Sequence, residues 1–237
     1  MPNAEFRDLV VDAPENGAEE LSRFWARVLS TAFTKVPSGW LVEARSDQPH
    51  ATQIWVNPVS EPRVGKTRVH LDLRLPEPDP SPLVVLGARI VTEPDVDPWW
   101  VLTDPDGNVF CGFPPRETPP ARIAPFELIV DCRDAAAQAS WWAAQVGGTV
   151  HEAKEKGYAW IEGASGFPWD DWVFDPVPEG KTVKNRLHWD VTLAGTDPEP
   201  LIAAGATLLR SPDDDIYWWI LQDPEGNEFC AFPRESA

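Results

Sequence analysis

Residues 99–117 read WWVLTDPDGNVFCGFPPRE, and residues 218–235 read WWILQDPEGNEFCAFPRE. The second stretch stands 119 residues after the first (218 against 99) in a chain of 237. Self-similarity at such a spacing is read before any local pattern, because it decides how many units the chain contains. Each stretch is two apolar strands around a DP-x-GN turn. Proline suits the turn corner, and glycine takes the positive φ that follows it.

Working backwards, every landmark recurs in the same order. KTRVHLDL at 66–73 matches KNRLHWDV at 184–191, and LGARIV at 86–91 matches AGATLL at 204–209. FWARVLS at 24–30 matches WWAAQVG at 141–147, and RDLVVDAPE at 7–15 matches FELIVDCRD at 126–134. The chain is therefore expected to be two homologous domains, 1–117 and 122–237. The Pro-rich stretch TPPARIAP at 118–125 joins them.

Periodicity gives each domain the same plan. In the second copy FELIVDC reads as a strand. DAAAQASWWAAQVG reads as a helix with Asp134 at its N-cap and Gly147–Gly148 as its stop. TVHEA, YAWIEG and DWVFDP follow as short strands. LHWDVTL, a short helix in TDPEPLIAAG, and the strands TLLRS, YWWILQ and EFCAF complete the copy. The first copy repeats this with the helix AEELSRFWARVLS and strands that include GWLVEA, TQIWVNP, RVHLDLRL, WWVLT and NVFCGF. Each domain is β-α-β-β-β twice over, and the fold class is α+β.

Composition narrows the function. The net charge is −18, from 38 acids and 20 bases. A nucleic-acid binder needs a basic face, and so does a protein that docks on anionic lipid. Acidity suits a cationic small ligand, and equally simple solubility. Three cysteines, at 111, 132 and 230, are too few for a disulfide framework. The N-terminus lacks the apolar run of a leader, and no stretch is long enough to span a bilayer. A soluble cytoplasmic protein with reduced thiols is expected. The 13 tryptophans stand against 2 tyrosines and 1 methionine.

Strand alternation says which polar groups share a face. Arg186, His188 and Asp190 oppose Leu187, Trp189 and Val191, and Arg68, His70 and Asp72 oppose Val69, Leu71 and Leu73. In the last strand Glu228 and Cys230 share one face, and Glu127 and Asp131 do so in the FELIVDC strand. A histidine on such a face is either a hydrogen-bonded structural residue or a ligand. Recurrence at matched positions adds weight to the second reading. Cys111 and Cys230 stand equally as small buried hydrophobes. Trp99–Trp100 and Trp218–Trp219 each place one ring on either face, where a ring fills the core or stacks on a ligand.

The KxRxHxD strand, the GNxFC ending and the DP[DE]GN hairpin, within two β-α-β-β-β modules per domain, resemble the glyoxalase/bleomycin-resistance/dioxygenase (vicinal oxygen chelate) superfamily and its glyoxalase-like subgroup. The resemblance covers nearly the whole chain, twice. It implies that paired modules curl a half-open mixed sheet around a cleft. It also implies a divalent metal (Zn, Ni, Fe or Mn) held by four side chains from the first and fourth strands of one module and the matching strands of the next. Carried onto this chain, the second copy offers Glu127, Asp175, His188 and Cys230. The first copy offers Asp8, Asn57, His70 and Cys111. Asn57 is a poor transition-metal ligand, and a cysteine at the fourth position favours Zn.

The superfamily also has a metal-free branch that traps cationic antibiotics. Two functions follow as expectations. The first is sequestration of an aromatic or cationic metabolite or antibiotic. Trp172, Trp218 and Trp219 would stack on it, Glu127, Asp175 and Asp190 would supply negative charge, and Arg186 and His188 would fix polar groups. Arg68 and His70 are the first-copy counterparts. The alternative is a metal-dependent lyase, isomerase or dioxygenase acting on vicinal oxygens. A third reading is a scaffold with filled clefts. Asn57, and Val109 where the second copy has Glu228, mark the first copy as the degenerate one. The loop GASGFPWDD at 163–171, without a counterpart in the first copy, is a lid, a cleft wall or a tolerated insertion. A small molecule is the expected partner, with no nucleic acid or membrane, and the chain acts as a monomeric internal pseudo-dimer or as a homodimer.

Overall fold

A computed structural model describes residues 2–234; the outer ends of the two expected domains, residue 1 and residues 235–237, lie outside the described residues. The chain forms four β-α-β-β-β modules. The first is β1 (Ala4–Pro14), α1 (Ala18–Val28), β2 (Phe33–Val36), β3 (Gly39–Val42) and β4 (Ile54–Val59), with a 3-10 turn at His50–Thr52. The second is β5 (Val69–Arg74), α2 (Ser81–Leu86), β6 (Arg89–Thr92), β7 (Trp100–Thr103) and β8 (Val109–Phe113). The third is β9 (Ala124–Cys132), α3 (Ala135–Val146), β10 (Thr149–Glu152), β11 (Ala159–Glu162) and β12 (Asp171–Pro176). The fourth is β13 (Leu187–Leu193), α4 (Glu199–Ala203), β14 (Thr207–Arg210), β15 (Trp219–Gln222) and β16 (Glu228–Phe232).

Local chemistry explains the helices. Asp134 caps α3 by accepting from the Ala137 N–H at 3.0 Å. Gly147, at φ 77°, ends the helix in a conformation that a side chain rarely adopts. In α1, Leu21, Phe24, Trp25 and Val28 are buried at helical spacing, and Glu19 and Arg23 pair on the outer face.

The strands build two eight-stranded mixed sheets, each open at its ends. Sheet one runs β14-β15-β16-β13-β1-β4-β3-β2, and sheet two runs β10-β11-β12-β9-β5-β8-β7-β6. The modules thus pair crosswise. The first joins the fourth, and the second joins the third. In sheet one β1 is antiparallel to β13, with Asp8 opposite Asp190 and Val10 opposite His188. In sheet two β5 is antiparallel to β9, with Asp72 opposite Glu127 and His70 opposite Ile129. The repeat is silent on this choice because β5 and β13 offer β1 the same kind of edge. Val69, Leu71 and Leu73 line one, and Leu187, Trp189 and Val191 line the other.

The sheets share one core. Trp142 of α3 packs against Trp172 of β12, Trp189 of β13 and Phe229 of β16, at centroid distances of 5.0–5.2 Å. Trp25 of α1 packs against Phe110 of β8 in the mirrored position. Each helix therefore rests on the other sheet's hairpin. The indole N–H of Trp25 donates to Asp104 at 3.3 Å, and that of Trp142 donates to Asp223 at 3.1 Å. These are the first residues of the two DP-x-GN turns, so the motif fastens sheet to sheet as well as turning the chain.

The 163–171 loop is a clasp between the sheets. Its Ser165 carbonyl accepts from the Phe6 N–H at 2.7 Å, and Phe6 packs on Phe167, Trp169 and Trp172. A Cβ on Gly166 would collide with the Phe6 carbonyl oxygen, so only glycine permits this approach. Among the described residues, no helix is long and apolar enough to cross a membrane.

Candidate functional site

Crosswise pairing splits the expected second-copy quartet. Glu127 and Asp175 lie on β9 and β12 of sheet two, whereas His188 and Cys230 lie on β13 and β16 of sheet one. The four do not converge. Two mixed sets stand in their place, Asp8, Asn57, His188 and Cys230 on sheet one, and Glu127, Asp175, His70 and Cys111 on sheet two.

Sheet one bears a cavity of about 410 Å³. Alternation on β1 and β4 turns Asp8, Val10, Trp55 and Asn57 into it, while Leu9, Val11, Ile54 and Val56 go to the core. His188, Asp190, Cys230 and Phe232 line it from β13 and β16, and Arg7, Ser38, Tyr217 and Trp218 complete its wall. Trp218 stacks on Phe232 with centroids 5.1 Å apart, and the Arg7 guanidinium lies 4.4 Å over the same ring. Asp8 accepts from Gln53 Nε2 at 2.6 Å and from Arg7 Nε at 3.3 Å. Burial still raises its carboxyl above the usual range. Asp190 is pushed well above that range by burial and by Asp8, and its Oδ1 has no partner among the described residues. Burial lowers the His188 imidazole and raises the Cys230 thiol.

Sheet two carries the matching centre. His70 Nε2 lies 3.4 Å from Asp72 Oδ1 and 3.8 Å from Cys111 Sγ. Burial pushes the imidazole down to about 4 and raises the thiol. Asp72 stands well above its ordinary value through burial and the neighbouring Glu127. Glu127 is raised to about 7 by burial and by Asp171, and Asp175 is raised by burial and by Asp131. Asp131 itself pairs with Lys66 at 2.6 Å. Arg74 lies 4.0 Å over Phe126 and 5.1 Å over Phe113, so a protein cation already covers these rings.

Several expected site residues prove structural. Trp172 is fully buried in the inter-sheet core, and Trp219 packs against that core on the face opposite Trp218. Arg68 donates to the carbonyls of Glu179 and Asp131, which fixes the approach to β5. Arg186 does not line the sheet-one cavity. Glu228 holds Lys181 at 2.6 Å and the Asn185 N–H at 3.2 Å. Its presence in the second copy alone therefore marks a buried ion pair, not the working cleft. Arg7, Ser38, Tyr217 and Phe232 also line the cavity, beyond the residues that the sequence pattern picks out. The alternation that puts Cys230 on the face with Glu228 also puts Phe232 there; Arg7 and Ser38 become neighbours only once β1 lies beside β13 and β4.

On sheet one, the four positions that the superfamily uses for a metal fit poorly. Asp8 is committed to Gln53 and Arg7, and Asn57 offers a weak amide oxygen. The His, Asp and Cys donors that do draw together are His188, Asp190 and Cys230 on sheet one, and His70, Asp72 and Cys111 on sheet two. Within each trio all donor atoms lie within 4.8 Å of one another.

The sequence pattern of the Glyoxalase-like domain family matches residues 8–113 and again 127–232. A comparison with curated proteins finds no match. Among solved structures, a point mutant of glyoxalase I from Zea mays superposes with a TM-score of 0.63 at 14% identity, covering 98% of this chain and 94% of that one. A putative dioxygenase from Bacillus subtilis gives 0.62 at 11% identity, covering 100% and 87%. Glyoxalase I from Zea mays gives 0.59 at 12% identity, covering 96% and 92%. At such identities the likeness is one of fold. The doubled family match, spanning most of the chain, makes this protein a member of the Glyoxalase-like domain family and a two-domain member of the vicinal oxygen chelate superfamily.

Proposed function

We propose that the protein binds a small cationic aromatic molecule in the sheet-one cleft. The observation that carries this reading is the lining. Trp55, Tyr217 and Trp218 line a cavity of about 410 Å³ together with the buried carboxyl of Asp190, whose Oδ1 has no partner among the described residues, while Arg7 already occupies Phe232 and Asp8. Pockets of this size suit drug-sized or metabolite-sized ligands. Aromatic faces attract a cation, by up to ~2 kcal/mol per desolvated contact. A carboxylate that is costly to ionise in the empty cleft becomes a favourable partner once a cation shares the cavity. Binding should therefore release protons and tighten as pH rises. Titration of tryptophan fluorescence against a panel of cationic aromatic compounds, with thermal shift alongside, tests it. A panel that neither quenches nor stabilises would defeat the proposal.

A second reading draws on the His/Asp/Cys trios and on the fold neighbours named glyoxalase I and putative dioxygenase. In it the chain is a metal-dependent lyase, isomerase or dioxygenase acting on vicinal oxygens. Turnover of such substrates by metal-loaded protein decides it. The two sheets already supply a paired arrangement within one chain, so a monomer is the expected assembly, and sedimentation checks this.

A further inference from the structure

We propose that the protein carries a further binding site, for a small monocarboxylate with an aromatic or branched aliphatic body, in the cavity between the linker, the 163–171 clasp and the first module. This cavity shares no lining residue with the sheet-one cavity, and its ligand has the opposite charge. The two proposals therefore stand or fall separately.

The shape comes first. The cavity measures about 330 Å³, which suits a small ligand. Three separate parts of the chain wall it. Leu29 comes from the end of α1, Pro120 and Ile123 from the linker, and Pro168 and Trp169 from the clasp. Local chemistry draws them together. Prolines fix φ along the linker, and Gly166 lets the clasp press on β1, which seats Trp169 against Phe6 at 5.8 Å. The apolar body of a ligand rests on these side chains.

The unspent polar groups set the charge of the ligand. Trp169 is 9% exposed, and its indole N–H is buried without an acceptor among the described residues. A donor left so costs free energy that a ligand oxygen restores. Arg122 is the second free donor. Its guanidinium stands 3.9 Å from Asp47, beyond hydrogen-bond reach, and donates to no other side chain among the described residues.

The carboxylates of the cavity already have partners. Both oxygens of Asp47 accept from Arg45, at 2.9 and 2.7 Å. Glu43 accepts from the Thr34 hydroxyl, and Asp170 pairs with Arg116 at 3.5 Å. A cation would be repelled by Arg122 and would have to share these carboxylates. What remains unpaired is a buried N–H and a guanidinium, and a carboxylate satisfies both at once because it accepts through two oxygens.

The test is a titration of the full-length protein with phenylacetate and with 4-methylpentanoate, read by calorimetry and by the indole N–H resonances in NMR. Salt at about 0.15 M screens the repulsion that a chain of net charge −18 exerts on any anion. Contacts with the rings of Phe6 and Phe167 assign the Trp169 N–H without a variant. We expect at least one acid to saturate at one equivalent, with the Trp169 resonance moving and that of Trp218 still. Phenylacetamide and phenethylamine should act on this resonance at least about 10-fold more weakly, because a charged acceptor bonds more strongly. Arg122→Gln, on the exposed linker, should weaken the acid by about 10-fold or more, the loss of a charged hydrogen bond. Failure of both acids to saturate the Trp169 resonance would overturn the proposal. So would an amide or amine that moves it at the same concentration, or R122Q protein that binds the acid normally.

Discussion

The two sheets share a polar centre and differ around it. Both have His-x-Asp on one strand with a cysteine in register beside the aspartate. Around that centre, Gln53 of sheet one is matched by Asp171 of sheet two, Trp55 by Val173, Asn57 by Asp175 and Tyr217 by Pro98. The first pair shows how one residue sets the electrostatics. Asp8 receives a hydrogen bond from Gln53, which pulls its carboxyl down against burial. Glu127, in the same place, faces Asp171 and is driven up to about 7. One centre is bordered by aromatic surface, and the other by concentrated negative charge. Duplication has kept a polar centre twice and varied its surroundings.

The largest effect separates core rings from cleft rings. Trp142→Ala should cost about 3–5 kcal/mol in denaturant unfolding, as large buried aromatics do, and Trp218→Ala a fraction of that. Equal losses would mean that Trp218 is a core residue. Next comes ligand affinity. Removal of the Trp218 ring should weaken a cationic aromatic ligand by up to about 30-fold, the equivalent of ~2 kcal/mol. Trp99→Ala on sheet two should leave affinity unchanged, and calorimetry reads both.

Exchanging the rim residue sharpens the contrast further. Asp171→Asn should bring the Glu127 carboxyl down from about 7, and Gln53→Asp should raise Asp8 further. Carbon-detected NMR titration follows each group directly. The smallest effect is on stability against pH. Glu127 titrates higher folded than unfolded, so its contribution is full below about 4.5 and declines as pH rises toward about 7. His70, lowered to about 4, works the other way, and its contribution is lost as pH falls from 6.5 toward 4. Glu127→Gln should therefore make the slope of stability against pH more positive between about 4.5 and 7. An unchanged slope would mean that Glu127 is not buried beside Asp171.

Much of the fold is legible in the residues themselves. The doubled DP-x-GN hairpin, the Asp134 cap and the His-x-Asp alternation each depend on interactions within a few residues, and each stands where the sequence puts it. The local pattern also puts Trp218 and Trp219 on opposite faces. What local pattern cannot supply is which edge meets which. β1 can satisfy its hydrogen bonds on β5 or on β13, and the alternation on both is the same. The expected quartet of Glu127, Asp175, His188 and Cys230 fails at that step alone. Each residue faces a cleft strand, but half belong to one sheet and half to the other. Trp172 misleads for a related reason. Its face of β12 is covered by α3 and by β13 from the other sheet, a contact between residues that no local window contains.

Crosswise pairing also orders the chain in time. Sheet two is made of adjacent modules, and both β5 and β9 precede the fourth module in the chain. The edge of β1 that receives β13 must wait for residues 187–193. At ribosomal speeds of about 5–20 residues per second, that wait lasts about 10–40 s. The first module made is thus the last to be completed, and a nascent chain carries an unpaired β edge through most of its synthesis. In the folded chain the first module is completed by the fourth, and the second by the third.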